Sequence, residues 1–265
     1  MKKIAIALLL VVPGVMFAQK EVKPNINKAI SSLRAGKYDE AKSMIDLATT
    51  YEKTMNDSKT WFYRGIIYGA LDTTSTYKST ENLALISAES FKKASDLSGG
   101  KTSSLLLTDP SSPLGTLSYD MARDAISNRY LVNGDKLFNS EDYKGALVQF
   151  EKGITFKADS TLYQYAGFAA YNADERDKAV QYLMAYANAG GRNSQAITMP
   201  ALIAYEDQKF DKSLEASRAA LKLIPGQKDM KAVELNSLIQ LQKYDEAAAL
   251  LENNLKANPN DAQGH

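Results

Sequence analysis

The chain has 265 residues, 45% of them apolar and 24% charged, the composition of a folded protein with a sizeable core. Its 32 basic and 31 acidic side chains give a formal charge of +1, without the concentrated basic footprint that nucleic acid or an anionic membrane surface requires. With no cysteine, and with His265 as the single histidine, there is no material for disulfides, thiolate metal sites, cysteine nucleophiles or histidine-based zinc and catalytic sites.

The first predicted element is a leader. Lys2 and Lys3 precede a nine-residue apolar run over 4–12, which Pro13-Gly14 ends. Val15-Met16-Phe17-Ala18 then reads as a cleavage region, cut after Ala18. The run is far shorter than the ~20 residues a membrane-spanning helix needs. Removing residues 1–18 takes away two lysines and no acid and leaves a formal charge of −1. No later stretch is apolar enough to span a bilayer, and no cysteine is available for lipid attachment. The expected location is periplasmic in a cell with two membranes, and secreted otherwise.

Beyond the leader one pattern recurs. Lys37-Tyr38-Asp39-Glu40-Ala41 is identical to Lys243-Tyr244-Asp245-Glu246-Ala247. Weaker copies are Asp142-Tyr143-Lys144-Gly145-Ala146, Glu175-Arg176-Asp177-Lys178-Ala179 and Lys209-Phe210-Asp211-Lys212-Ser213. The closing small residues at 146, 179, 213 and 247 are 33, 34 and 34 residues apart. Such a period predicts stacked helix pairs, A and B, none of which buries its apolar face alone.

In chain order, the first unit keeps Gly36, Tyr38 and Ala41. The next has Trp61, Gly65 and Tyr68 on helix A and Ser87, Phe91 and Ala94 on helix B. Then come Tyr130, Gly134, Tyr143, Ala146 and Phe150; Tyr163, Gly167 and Ala179; Ala201, Phe210, Ser213, Ala220 and Pro225; and Tyr244, Ala247, Leu251 and Pro259. Small residues let facing helix axes approach, aromatics fill each pair, and proline ends helix B. Asp39-Glu40 and Asp245-Glu246 are expected in the first turn of helix B, where acids suit the helix dipole.

These units resemble tetratricopeptide repeats of an exported bacterial type, over residues 25 to 261. The resemblance implies an all-α fold, a right-handed α-solenoid of five or six antiparallel helix pairs. It divides the chain into a signal peptide (1–18), N-terminal repeats (19–98) with an insertion near 69–80, an interrupting loop (99–116), and four repeats over 117–261. Residues 262–265 look like the start of a further helix A, so the chain is expected to be part of a longer protein. Asp72-Thr73-Thr74-Ser75-Thr76 reads as an extended loop. The 99–116 segment carries Gly99-Gly100, Pro110 and Ser111-Ser112-Pro113, and its Leu105-Leu106-Leu107 is expected to dock. Helical pattern resumes near Leu117.

Chemistry-bearing motifs are sparse. Gly100-Lys101-Thr102 resembles the tail of a phosphate-binding loop, but Ser95 stands where that motif needs its first glycine, and a helix C-cap explains the glycines better. The carboxylates fall mostly at solvent-facing repeat positions. No catalytic, metal or cofactor site is expected.

The resemblance does imply a binding face, because helix A lines the concave side of such arrays. One register there carries Phe138, Tyr171 and Tyr205; three residues earlier stand Asp135, Phe168 and Leu202. Asn139 and Asn172 lie beside them, and Gln164 one turn earlier. Aromatic anchors with nearby amides suit an extended peptide or a sugar chain. The plainer reading packs the aromatics on the neighbouring repeat and lets the asparagines terminate helix A. The Lys/Asn/Arg clamp by which some relatives hold acidic peptide tails is replaced by Leu131, Asp135 and Tyr165. The expected function is a non-catalytic scaffold for a protein or peptide partner in the cell envelope, with a glycan or peptidoglycan binder as the alternative. Neither nucleic acid nor a membrane span in the mature chain is expected.

Overall fold

The computed structural model describes residues 23–77, 82–108 and 115–257. The leader, the Pro110 to Pro113 stretch, Pro259 and the 262–265 tail lie outside the described residues, as do 78–80 of the first insertion.

The described residues form antiparallel helix pairs in chain order: α1 (Ile26–Arg34) with α2 (Tyr38–Thr50), α3 (Ser58–Leu71) with α4 (Leu83–Leu97), α5 (Tyr119–Asn139) with α6 (Tyr143–Phe156), α7 (Ser160–Asn172) with α8 (Arg176–Asn188), α9 (Ser194–Glu206) with α10 (Phe210–Leu223), and α11 (Lys228–Gln240) with α12 (Tyr244–Ala257). Each pair stacks on the next, α6 on α7, α8 on α9 and α10 on α11. This is the α-solenoid that the period predicts.

Small residues set the spacing inside each pair. A Cβ on Gly65 would stand 2.8 Å from the Phe91 ring, and one on Gly167 2.6 Å from Leu183; one on Gly134 would enter the Phe150 ring. The facing position on helix B is Ala146, Ala179 or Ala247, or a serine. Ser87 donates to the Gly65 carbonyl at 2.6 Å and Ser213 to the Ala201 carbonyl at 3.0 Å. The buried hydroxyl is thus satisfied by the helix it faces.

The turn between A and B is one device used five times. Gly36, Glu141, Asp174, Gln208 and Gln242 adopt φ of 70°, 63°, 63°, 58° and 56°. The next residue's N–H reaches back into helix A, Asp142 to Leu137 O at 2.9 Å and Glu175 to Ala170 O at 2.8 Å. This is the left-handed ending that satisfies otherwise orphaned carbonyls. Helix B then starts on the second residue of the repeated motif, an aromatic in four of the five and Arg176 in α8, and Asp39-Glu40 and Asp245-Glu246 stand in the first turns of α2 and α12.

The described parts of both insertions pack onto the helices. Asp72, just beyond α3, is 6% exposed at its side chain; it accepts from Tyr130 Oη at 2.7 Å and from Lys152 Nζ at 3.0 Å. Arg129 donates to Thr73 Oγ1 at 2.9 Å and to the Gly69 carbonyl at 3.3 Å. The polar stretch after α3 therefore starts as a clasp onto α5 and α6 and continues as a 3-10 turn over Ser75–Tyr77. In the second insertion, β1 (Leu106–Thr108) pairs antiparallel with β2 (Thr116–Ser118), Leu107 opposite Leu117. Leu105 and Leu107 are buried and Leu106 exposed, so two of the three leucines dock. Leu117 belongs to β2, and α5 starts two residues later. Gly99 and Gly100, at φ of 62° and 78°, end α4, with Gly100 N–H donating to Ser95 O at 2.9 Å. A 3-10 turn over Thr102–Ser104 follows, not the helix a phosphate loop requires.

The core falls into three clusters among the described residues. The first, over α1–α4, the ribbon, the first half of α5 and the end of α6, holds Phe62, Phe91, Tyr119, Tyr130 and Phe156. Phe91 meets Tyr119 and Phe156 edge-on, with centroids 5.5 and 6.2 Å apart. The second, from α6 to α11, is dominated by alanine. The third, smaller cluster joins Leu214, Leu238 and Ala247.

Candidate functional site

The A helices bury one stripe and leave another outward. In α7, Leu162, Ala166, Gly167, Ala169 and Ala170 are buried, while Gln164 and Phe168 are half-buried and Tyr171 and Asn172 exposed. In α9, the buried set around Ala201 leaves Leu202 exposed and Tyr205 half-buried. In α5, Asp135 and Phe138 are half-buried and Asn139 exposed. The nine predicted residues therefore fall on corresponding stripes of three A helices, but they do different work.

Phe138 and Tyr205 are pinned. Each stacks edge-on against the first residue of its own helix B: Phe138 on Tyr143, centroids 5.1 Å apart at 71°, and Tyr205 on Phe210, 5.4 Å apart at 66°. They close the A–B turn. Phe168 packs against the alanine-rich core. Asn172 donates to its own helix at Phe168 O, 2.8 Å, and Asn139 to Asp135 Oδ2, 3.2 Å. Tyr171 and Leu202 remain open, each 40% exposed.

A further open side chain escaped the sequence reading. Ile239 of α11 is 42% exposed. It continues the register of Tyr171 and Tyr205 at steps of 34. Carrying the period one unit further finds it; Leu235, standing in α11 where the other units have glycine or alanine, obscures the match.

On α7 and α9 the stripe is nearly free of charge. Helix α7 contains no ionisable acid or base and α9 only Glu206, against three charged residues in α8 and five in α10. Glu206 accepts from Arg176 Nη2 at 2.8 Å, and Asp207 from Arg176 Nε at 2.6 Å. These carboxylates, Glu206 first, hold the Arg176 guanidinium above its ordinary range. Around α7 and α9 the charges thus sit at the A–B turns and on the B helices, where they pair between repeats, Lys178 with Glu151 and Lys209 and Lys212 with Asp177; Arg218 of α10 pairs with Glu234 on the A helix α11 and with Glu246.

Two hollows lie elsewhere. One, of about 610 Å³, is lined by the Asp72 clasp together with Asn133, Lys136 and Gln149. The other, of about 680 Å³, lies between α8 and α10 and is lined by Met184, Leu214, Arg218 and Leu223. Among the described residues no three His, Cys, Asp or Glu side chains converge as a metal site would need, and no helix is long and apolar enough to cross a membrane.

Its period, helix pairs and small-residue contacts give the described residues an α-solenoid architecture of tetratricopeptide-like type. No protein-family model and no curated protein matches it. Solved structures do. It is similar to MamA protein, at 15% identity over 76% of this chain and 94% of that one, with a TM-score of 0.40. It is similar to pilF of Pseudomonas aeruginosa, at 13% identity over 89% and 91%, with a TM-score of 0.34. It is also similar to YrrB, a TPR protein with an unusual peptide-binding site, at 16% identity over 80% and 92%, with a TM-score of 0.34.

Proposed function

We propose that this chain is an exported, non-catalytic scaffold of the bacterial cell envelope that holds a protein partner on the outward stripe of its A helices. The observation that carries this reading is the set of open apolar side chains, Tyr171, Leu202 and Ile239, on three consecutive A helices otherwise devoted to packing. Exposed apolar groups on neighbouring turns of successive A helices offer a surface where a partner gains from leaving water. The regular B helices also expose apolar side chains, Val148, Leu223 and Tyr244, but carry beside them charges that pair between repeats. Export rests on the basic, apolar and small-residue succession of residues 1–18.

The variant Tyr171→Ser/Leu202→Ser/Ile239→Ser removes the stripe without touching the core. Pull-down from envelope extract with both forms, followed by mass spectrometry, is expected to recover a partner with the native chain and to lose it with the variant. Equal recovery by both removes the assignment. Saturable binding of soluble oligosaccharides that depends on the stripe, with no protein partner, replaces it with the glycan reading. Export is checked by the intact mass of the product: a chain starting at Gln19 outside the cytoplasm is expected, and an unprocessed chain held inside contradicts it.

A further inference from the structure

The hollow beside the Asp72 clasp shares no residue with the open stripe, so what it binds does not depend on the docking reading. We propose that it is a site for a small acidic sugar, a ring of hydroxyls that carries one carboxylate.

Its walls come from the first break in the period. Asp72 meets α5 at Tyr130, and from there α5 runs on for ~2.5 turns to Asn139. Asn133, Lys136 and Leu137 follow Tyr130 at helical spacings of three and four, share its face and form one wall. Gln149 and Lys152, three apart on α6, form the second, and the insertion at 73–75 the third. The space between them, about 610 Å³, is that of a small-molecule site. The frame is fixed before any ligand arrives. Asp72, nearly buried, holds the Tyr130 hydroxyl at 2.7 Å and the Lys152 ammonium at 3.0 and 3.2 Å, and Arg129 holds Thr73 at 2.9 Å. A site held in this way loses little freedom on binding.

The lining decides the chemistry of the occupant. Its ionised groups are Lys136, Lys152 and Asp72, and since Asp72 neutralises Lys152, one positive charge is left over, on Lys136. Among the described residues Lys136 has no hydrogen bond or ion pair, and neither have the half-buried amides of Asn133 and Gln149. An apolar occupant would take water from both amides and give nothing back. A sugar ring returns those bonds, because each of its hydroxyls both donates and accepts, as an amide does. A single carboxylate matches the single excess charge and accepts a charge-assisted bond from Lys136. A phosphate dianion would exceed that charge, and a neutral sugar would leave it unanswered. The hollow between α8 and α10 lacks this excess: Asp211 and Glu215 balance Arg218 and Lys222, and Arg218 is already held by Glu234 and Glu246.

The test titrates the full chain, by calorimetry and ligand-observed NMR, with D-glucuronate and D-galacturonate, and with D-glucose, acetate and inorganic phosphate for comparison. At least one of the acidic sugars is expected to bind saturably, and about tenfold or more tighter than glucose, which lacks the carboxylate, or acetate, which lacks the ring. Lys136→Gln is expected to weaken that binding about tenfold and Gln149→Leu about threefold, with circular dichroism confirming that both variants are folded. Lys144→Gln, at an exposed lysine of α6 outside the hollow, is expected to change nothing, as is Tyr171→Ser/Leu202→Ser/Ile239→Ser. Acetate or phosphate bound as tightly as the sugars marks a plain anion spot and overturns the assignment. So does the absence of saturable binding by either acidic sugar, equal binding by the native chain and Lys136→Gln, or loss of binding in the stripe variant. None of the first three outcomes touches the docking reading, which stands or falls on the recovery of a partner.

Discussion

The first two helix pairs and the last four solve the same stacking problem with different side chains. From α6 onward the core is built on alanine and glycine, the helices approach closely, and charged residues bridge successive repeats. Before that the period is broken twice, and the break is filled by large aromatics and by a ribbon and a clasp that reach across it. Regular spacing frees one face of every A helix, whereas in the irregular part the corresponding face is consumed: Phe62, one turn into α3, is fully buried among Tyr63, Phe91 and Tyr119. The candidate stripe lies where the repeats stack without help.

The sharpest way to break this comparison is Phe91→Ala. Phe91 is 1% exposed and touches Phe62, Tyr119 and Phe156. Truncation of such a side chain costs about 3–5 kcal/mol. Because each repeat contacts only its neighbours, the loss is expected to be local. Hydrogen exchange is the measurement: protection falls over α1–α6 and is largely kept over α9–α12. A uniform loss along the chain means the two regions are one cooperative unit and the contrast is only compositional.

The Asp72 clasp ranks next. Asp72→Ala strands the nearly buried Tyr130 hydroxyl and releases Lys152, and the cost is expected to be about 2 kcal/mol, mostly from Tyr130, since Lys152 is a third exposed and its share is screened. Tyr130→Phe with Asp72→Ala is expected to cost less than the two singly, as for any shared interaction. The clasp also sets a pH limb. Burial, then Asp72, raises the Tyr130 pKa above its ordinary ~10. With the folded value above the unfolded one, the contribution is complete below about pH 10 and is lost as pH rises toward the folded value. Chemical denaturation across pH 8–11 is expected to show this fall, flattened in Tyr130→Phe.

The regular region was readable because its rules are periodic. Small residues at 146, 179, 213 and 247 mark the first turn of each helix B, and Gly65, Gly134 and Gly167 the places where Phe91, Phe150 and Leu183 approach helix A closely. The irregular region was not, for physical reasons. Asp72 lies in a run of Thr and Ser that reads as solvated loop, and only its distance from Tyr130 in space shows that it is buried. Three-residue strands carry too little pattern to be recognised. The candidate stripe was half legible: its residues fall at corresponding places of three A helices, but Phe138 and Tyr205 have partners within their own turns, which no single sequence position announces. The turns hid their geometry as well, since four of the five left-handed residues are not glycine.

Those close contacts and turns supply the smaller tests. At Gly134, alanine normally gains about 0.5–1 kcal/mol inside a helix, but here its Cβ enters the Phe150 ring. Overpacking of this kind costs about 1–3 kcal/mol, so Gly134→Ala is expected to lower the thermal midpoint; a rise means the pair has room to spread and close approach is not what the glycine secures. At the turns the sign reverses. Glu141 and Gln208 hold φ of 63° and 58°, a conformation that costs a non-glycine residue roughly 1 kcal/mol. Part of the gain from glycine is returned as added freedom of the unfolded chain. Glu141→Gly and Gln208→Gly are each expected to raise stability by a few tenths to about 1 kcal/mol, read from the shift in the denaturant midpoint at constant slope. The same change at Asp142 removes the side chain that caps α6 by accepting from Gly145 N–H at 2.9 Å, and costs a few tenths. Opposite signs at adjacent residues of one turn separate the left-handed position from the cap, and equal signs show that the ending is not held by the backbone geometry that recurs through the array.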